Sequence, residues 1–318
     1  MITNFKLYIS FLLIAFTSAL SIGQQLHKLK SYELVELQLI DQEHTDKFEK
    51  LQVQDFQGRI KPIQTLALDL NRKLTGKSDF KYFNAQGRKE KLNATQVFLG
   101  MHYRSDAWQL IPCIKVDKET KDTIAKIIPV NKEGYAKPAQ FYDFNRNYKL
   151  RKLVDDAYAK AEGKRGTLDK NIIKLDERVN IIFAIFSGQF LRIFPNQVDQ
   201  NNKWAAPKEP TEFLSDQQEF YHRIIPTYLE QLKEGNQTKD WSKANTTIEI
   251  LQQFQQNNGG ENLIPNNKID KEISYNNQKI FFKSMMGYTI VGFLLLICLL
   301  YTSPSPRDGA TSRMPSSA

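Results

Sequence analysis

The chain is poor in cysteine, and it has no long apolar run except near its two ends. Two cysteines in 318 residues, Cys113 and Cys298, exclude a disulfide-rich scaffold and any CxxC metal site or haem-attachment motif. Basic and acidic residues are interspersed, 44 against 35, so the net charge of +9 indicates a solvated surface and no nucleic-acid-binding stripe. With 41% hydrophobic residues, the composition excludes a wholly disordered chain.

The first apolar run follows Lys6 and covers residues 7–16, with small residues between Ser18 and Gly23. This pattern is typical of a secretory signal peptide, and a membrane anchor is the alternative because residues 7–22 are short for a span. Residues 1–23 are therefore predicted to be a signal peptide or membrane anchor. Either interpretation places the following domain outside the cytoplasm.

The second apolar run, residues 285–297, follows Lys279 and Lys283 and predicts the start of a transmembrane helix over residues 279–297. The polar stretch from Asn266 onward is expected to be a helix that runs straight into it. Residues 298–318 resemble the translation of a transposon-type sequencing adapter, with one half at 298–308 and the other at 312–318. We expect this tail to be non-biological and the native protein, here truncated, to continue beyond Ile297.

Residues 24–278 are predicted to form an extracytoplasmic, mainly α-helical domain. One helix is expected from Ile63 to Leu74, ending at Gly76, and Asn93 is a predicted N-cap of a short helix. The most apolar helix is expected to be capped by Thr167, to end at Pro195 and to be the central element. The remaining predictions are a helix near residues 150–157, an antiparallel helical hairpin of residues 215–234 and 240–257 with Asp240 as N-cap, and a small β-hairpin of residues 111–116 and 123–128.

The residues that carry chemistry in enzymes are few and scattered. None of the four histidines (His27, His44, His102 and His222) has a partner at the spacing of a metal site, and His44 is expected in a surface cluster with neighbouring acids. Cys113 is expected to be a small buried apolar residue, and no nucleophile and base are paired. The sequence therefore predicts no catalytic and no metal-binding residues, and it leaves cofactor-binding residues open.

Residues 51–67 resemble the "VQDxxGRxKPxxTLA" stretch of CcsA/ResB-type (CcsBA-like) proteins of cytochrome c biogenesis. Within it, Gly58 and Pro62 are expected to fix a loop and to preset the entry of the next helix. Three further blocks are similar to later parts of the same region: residues 93–100, residues 191–195 with 203–204, and residues 240–243. In that family the region precedes the CcsA membrane core as an extracytoplasmic insert.

The resemblance implies a role in haem delivery and attachment to apocytochrome c, at the bacterial inner membrane with the main domain in the periplasm. Haem is implied for the complete protein and no cofactor for this part. The expected partners are the membrane, apocytochrome c and the ResB-like part, and nucleic acid is not among them. The chain lacks the family's tryptophan-rich haem segment, since Trp108, Trp204 and Trp241 are isolated, so no functional residue is carried over.

This part is accordingly expected to be a docking or positioning domain without catalytic residues. An envelope-anchored helical adaptor unrelated to haem is the alternative, because antiparallel helix pairs often form binding surfaces. An envelope hydrolase is the third and weakest hypothesis.

Overall fold

The computed structural model describes residues 40–83 and 88–302, which form a mainly α-helical protein as predicted. The chain divides into two units, with the boundary between Ile269 and Asp270. The helices are α1 Gln42–Phe48, α2 Ile63–Thr75, α3 Ala94–Tyr103, α4 Ser105–Trp108, α5 Lys121–Ala125, α6 Arg151–Tyr158, α7 Thr167–Phe186, α8 Gln218–Thr238, α9 Ser242–Asn258, α10 Asn266–Gln278 and α11 Ile280–Thr302. The predicted signal peptide or anchor, residues 1–23, lies outside the described residues.

Three antiparallel strand pairs accompany the helices of the first unit. They are β1 Gln52–Gln54 with β2 Ile60–Pro62, β3 Asp79–Phe83 with β4 Lys89–Asn93, and β5 Ile114–Lys115 with β6 Tyr135–Ala136. Each pair is a short two-stranded ribbon, and such ribbons are stable only when they pack against helices.

Helix α7 is the centre of the first unit, as its apolar stripe predicts. It packs against α6, α2, α3 and β5, and Val179 and Ile182 on its stripe are completely buried. Its ends differ from the prediction: Gly166 is the N-cap, with its N–H donating to the Asp169 carboxylate at 3.0 Å, and the helix stops at Phe186. Gly188, at φ 81°, turns the chain away, so the apolar residues up to Pro195 continue outside the helix.

Helices α2 and α3 begin and end where the sequence places their signals. Pro62, with φ −61°, precedes α2, and Gly76 ends it in the left-handed conformation that favours glycine. Asn93 accepts a hydrogen bond from the N–H of Gln96 at 2.8 Å, while the Gln96 amide accepts from the N–H of Asn93 at 3.0 Å. This reciprocal pair is a capping box, and it confirms Asn93 as the N-cap.

The predicted β-hairpin of residues 111–116 and 123–128 is wrong. Strand β5 pairs with β6, and residues 121–125 form helix α5. Ile124 and Ile128 are completely buried and are four residues apart, a spacing that puts both on one face of a helical turn. The reversal that β5 needs comes later, at Gly134, whose φ is 85°.

The predicted helical hairpin is present as α8 and α9, which pack against each other. Its helices begin two to three residues later than expected. Trp241 is the N-cap of α9, although the Asp240 carboxylate accepts a hydrogen bond from the N–H of Ser242 at 2.9 Å. Helix α6 confirms the helix expected near residues 150–157.

In the second unit, α11 is apolar on every face. Residues 280–301 form the helix that is long and apolar enough to cross a membrane in the described part of the chain, with a mean hydropathy of 2.0 over its most apolar window. This agrees with the predicted start of a transmembrane helix, although the helix continues past Ile297 to Thr302. The polar helix α10 does not run straight into α11, because Lys279, at φ 49°, separates them. The interpretation of residues 298–318 as an adapter translation stays a prediction.

Candidate docking site

The turn between β1 and β2 is fixed by its own polar groups. The Asp55 carboxylate accepts hydrogen bonds from the N–H groups of Gln57 at 2.9 Å and Arg59 at 3.0 Å. The N–H of Asp55 also donates to the carbonyl of Arg59, and Gly58 adopts φ 85° as the sequence predicts. These bonds fix the backbone of the turn that carries Phe56.

Lys61 ties this turn to helix α2. Its ammonium group is buried and lies 3.0 Å from an Asp55 oxygen and 3.6 Å from an Asp69 oxygen. Burial raises the pKa of Asp55, but the hydrogen bonds from Lys61 and from two backbone N–H groups outweigh it, so that the pKa is lowered. Asp55 therefore stays ionised at neutral pH, and the buried cation keeps its partner.

The apex carries an exposed aromatic ring beside a cation. The Phe56 side chain is 55% exposed, and the guanidinium carbon of Arg192 lies 4.4 Å from its ring centroid. The ring of Phe190 meets Phe56 edge-on, with centroids 5.0 Å apart. We call Phe56, Phe190 and Arg192 the Phe56 surface. Aromatic and arginine side chains together are typical of the energetic centres of protein–protein interfaces.

Two of the four sequence blocks that carry the family resemblance, residues 51–67 and residues 191–195 with 203–204, meet beneath the Phe56 surface. The N–H of Gln54 donates to the carbonyl of Arg192 at 3.0 Å, and the Gln54 amide oxygen accepts from the N–H of Trp204 at 2.8 Å. The segments 51–67, 191–195 and 203–204 are therefore one structural assembly, although up to 150 residues separate them in the chain.

The buried side chain of Gln255 on α9 completes this assembly. Its amide nitrogen donates to the carbonyls of Gln52 and Ile193, each at 2.8 Å, and its amide oxygen accepts from the N–H of Gln52 at 3.0 Å. One side chain thus satisfies three backbone groups that would otherwise be buried without partners.

The other two blocks support the fold. Residues 93–100 contain the cap and most of α3, whereas Trp241, from block 240–243, stacks on His44 with ring centroids 5.4 Å apart.

No family model matches the chain. It is 30% identical over 280 residues to Protein NrfI of Wolinella succinogenes, a match that covers 88% of this chain and 29% of NrfI. The chain spans less than a third of the length of the curated relative. The similarity and the apolar helix α11 are together consistent with a membrane location.

His44 is a buried structural residue, and its expected place in a surface cluster is wrong. Its Nδ1 lies 2.7 Å from the amide oxygen of Asn245, which can only accept, and its Nε2 lies 2.7 Å from the Tyr228 hydroxyl. Burial lowers the pKa of His44, so the ring is neutral and accepts at Nε2. Tyr228 and Asn245 lie 184 and 201 positions after His44 in the sequence, and their bonds to His44 hold α1 against the α8–α9 hairpin.

The other two described histidines, His102 and His222, share no hydrogen-bond partner. Nδ1 of His102 lies 2.8 Å from the carbonyl of Phe98, and burial lowers the pKa of His102 to about 4. His222 is exposed and bonds to Gln218, while His27 lies outside the described residues. Within residues 40–83 and 88–302, no three His, Cys, Asp or Glu side chains are grouped as a metal site requires.

Cys113 is completely buried, as expected of a small apolar residue, and burial raises the pKa of its thiol. A thiol in such surroundings stays protonated and unreactive.

Proposed function

We propose that the chain is the extracytoplasmic docking domain, with one membrane helix, of a protein that delivers haem and attaches it to apocytochrome c. Its main domain faces the periplasm from the bacterial inner membrane. The observation that carries this proposal is the meeting of two family-like sequence blocks beneath the Phe56 surface. The similarity to NrfI over 88% of the chain supports it.

In this proposal the Phe56 surface receives apocytochrome c or the ResB-like part of the same system. An aromatic ring held by a cation offers apolar area at little entropic cost, because the turn below it is already fixed by hydrogen bonds. The partner would gain an ordered contact, and this domain would position it without any catalytic group of its own.

Haem is expected in the complete protein, and two of the described histidines do not suit it. Both ring nitrogens of His44 are hydrogen-bonded, and Nε2 of His102 is buried. No haem-dependent step is assigned to these two residues.

The docking role is tested by the affinity of the full chain, in detergent, for a haem-free apocytochrome c containing a CxxCH sequence. Phe56→Ala is expected to weaken binding at least tenfold, as hot-spot truncations do. Phe144→Ala removes an exposed phenylalanine from a different turn and serves as the matched control. Equal affinities of the two variants and the parent chain would refute docking at the Phe56 surface.

The alternative is an envelope-anchored helical adaptor unrelated to haem. A strain that lacks the gene distinguishes it from the proposed role in maturation. Loss of covalently haem-stained c-type cytochromes supports maturation. Normal staining would favour the adaptor, and sequencing the source DNA beyond the Ile297 codon would test whether further membrane spans follow.

A further inference from the structure

A second turn exposes a phenylalanine far more completely than the Phe56 surface does. Residues 143–147, the Phe144 turn, are closed by the Asp143 carboxylate, which accepts from the N–H of Asn147 at 2.8 Å and from its amide group at 3.0 Å. Arg146 adopts φ 61°, and its N–H donates to the carbonyl of Asp143. The Phe144 side chain is 108% exposed, so nothing in the described part of the chain covers it.

The Phe144 turn rests on a firm base. Tyr142 and Tyr148 pair across it as an isolated antiparallel bridge, and their rings lie 5.4 Å apart. The Tyr142 ring also meets Phe183 of the central helix α7 edge-on, at 5.1 Å. The exposed ring is thus presented by a fixed turn on the core of the domain.

The sequence on both sides of the exposed ring is basic. Residues 141–152 contain one acidic side chain, Asp143, and four exposed basic ones, Arg146, Lys149, Arg151 and Lys152. Both Asp143 oxygens accept hydrogen bonds from Asn147. The acidic residues that follow in the sequence are Asp155 and Asp156 on α6.

We propose that the Phe144 turn is a membrane-contact site that inserts Phe144 at the headgroup boundary of an anionic bilayer, with the basic side chains on the lipid headgroups. A convex apex has no groove to enclose a partner side chain, whereas the acyl boundary of a bilayer accepts a projecting ring. Basic side chains add electrostatic attraction to anionic lipid within about 10 Å. A bilayer is available because the chain carries the candidate span in α11.

The test uses the full chain with Phe144→Trp, reconstituted into vesicles of brominated phosphatidylcholine with or without phosphatidylglycerol. Emission of the parent chain, from Trp108, Trp204 and Trp241, is subtracted. The extra emission is expected to shift to the blue and to be quenched in the anionic vesicles, and high salt is expected to reduce the quenching. The completely exposed ring makes no contact that the fold needs, so the variant is expected to fold.

The basic side chains are tested by Lys149→Gln with Lys152→Gln in the same background. Each positive charge near an anionic surface favours contact about fivefold, so the equilibrium for contact is expected to fall about 25-fold. Lys170→Gln with Lys174→Gln removes two exposed charges from α7 and is expected to leave the quenching unchanged.

If the extra emission of the Phe144→Trp variant is not quenched, or is quenched regardless of phosphatidylglycerol, the proposal is overturned. An emission change that follows the addition of an acidic apoprotein, and not of lipid, would assign the Phe144 turn to a protein partner and overturn it as well.

Discussion

The Gln255 side chain offers the sharpest test of the fold, because methionine preserves its size and cannot form its hydrogen bonds. In Gln255→Met, the N–H and carbonyl of Gln52 and the carbonyl of Ile193 lose their partner in a site where Gln255 is only 2% exposed. A buried backbone group without a partner costs about 1–3 kcal/mol. Because the three groups share one site, we expect a total loss of about 3–5 kcal/mol in the free energy of unfolding.

The assay is thermal unfolding of the full chain in mild detergent, followed by tryptophan fluorescence. A loss of this size lowers the midpoint by about 10 °C in a domain of this length. Gln256→Met alters the next residue of α9, which is exposed, and is expected to change stability by less than about 0.5 kcal/mol. A drop for Gln255→Met no larger than that of its neighbour would refute the inference that one amide holds the three segments together.

Three further changes test other parts of the domain. Burial first, and then the nearby charge of an aspartate, raise the pKa of Glu49 from 4.5 to about 7. Between these two values the native state binds more protons than the unfolded state. The free energy of unfolding should therefore fall by about 3 kcal/mol as the pH rises from about 4.5 to 7. Glu49→Gln should therefore raise the melting midpoint at pH 8 and not at pH 4, with exposed Glu133→Gln as control; equal midpoints at pH 8 would contradict the burial penalty. In Gly235→Ala, the new Cβ would lie 2.8 Å from the Trp241 ring, so we expect a loss of about 1–3 kcal/mol and altered tryptophan emission, and an increase in stability would show that the contact yields. Asn93→Ala should lower stability by about 1 kcal/mol in the same thermal assay, whereas Asn93→Asp keeps an acceptor and should not.

Local signals predict the helices well because each depends on neighbours in the sequence. The proline before α2, the glycine after it and the cap of α3 act within one helical turn, and the structure places all three as expected. The stripe of α7 likewise identifies the central helix. Its end is misplaced because Gly188 reverses the chain while apolar residues continue, and periodicity does not distinguish a buried non-helical segment from more helix.

The candidate site depends on contacts that local patterns do not record. Phe56 and Arg192 are 136 positions apart by number, and only the fold brings the ring and the guanidinium together. His44 stands among acidic residues in the sequence and is nevertheless buried, because its partners lie on α8 and α9. The resemblance to a known family points to the right segments, whereas their assembly into one surface follows from tertiary hydrogen bonds.

The bond between Gln52 and Gln255 joins positions 203 residues apart, and this separation bears on how the chain is made. An emerging polypeptide cannot close β1 against its final partner until nearly the whole domain has left the site of synthesis. Until then the early segments lack some of their burial partners and expose apolar surface. Pieces cut before α9 are therefore poor substitutes for the intact domain in any binding experiment.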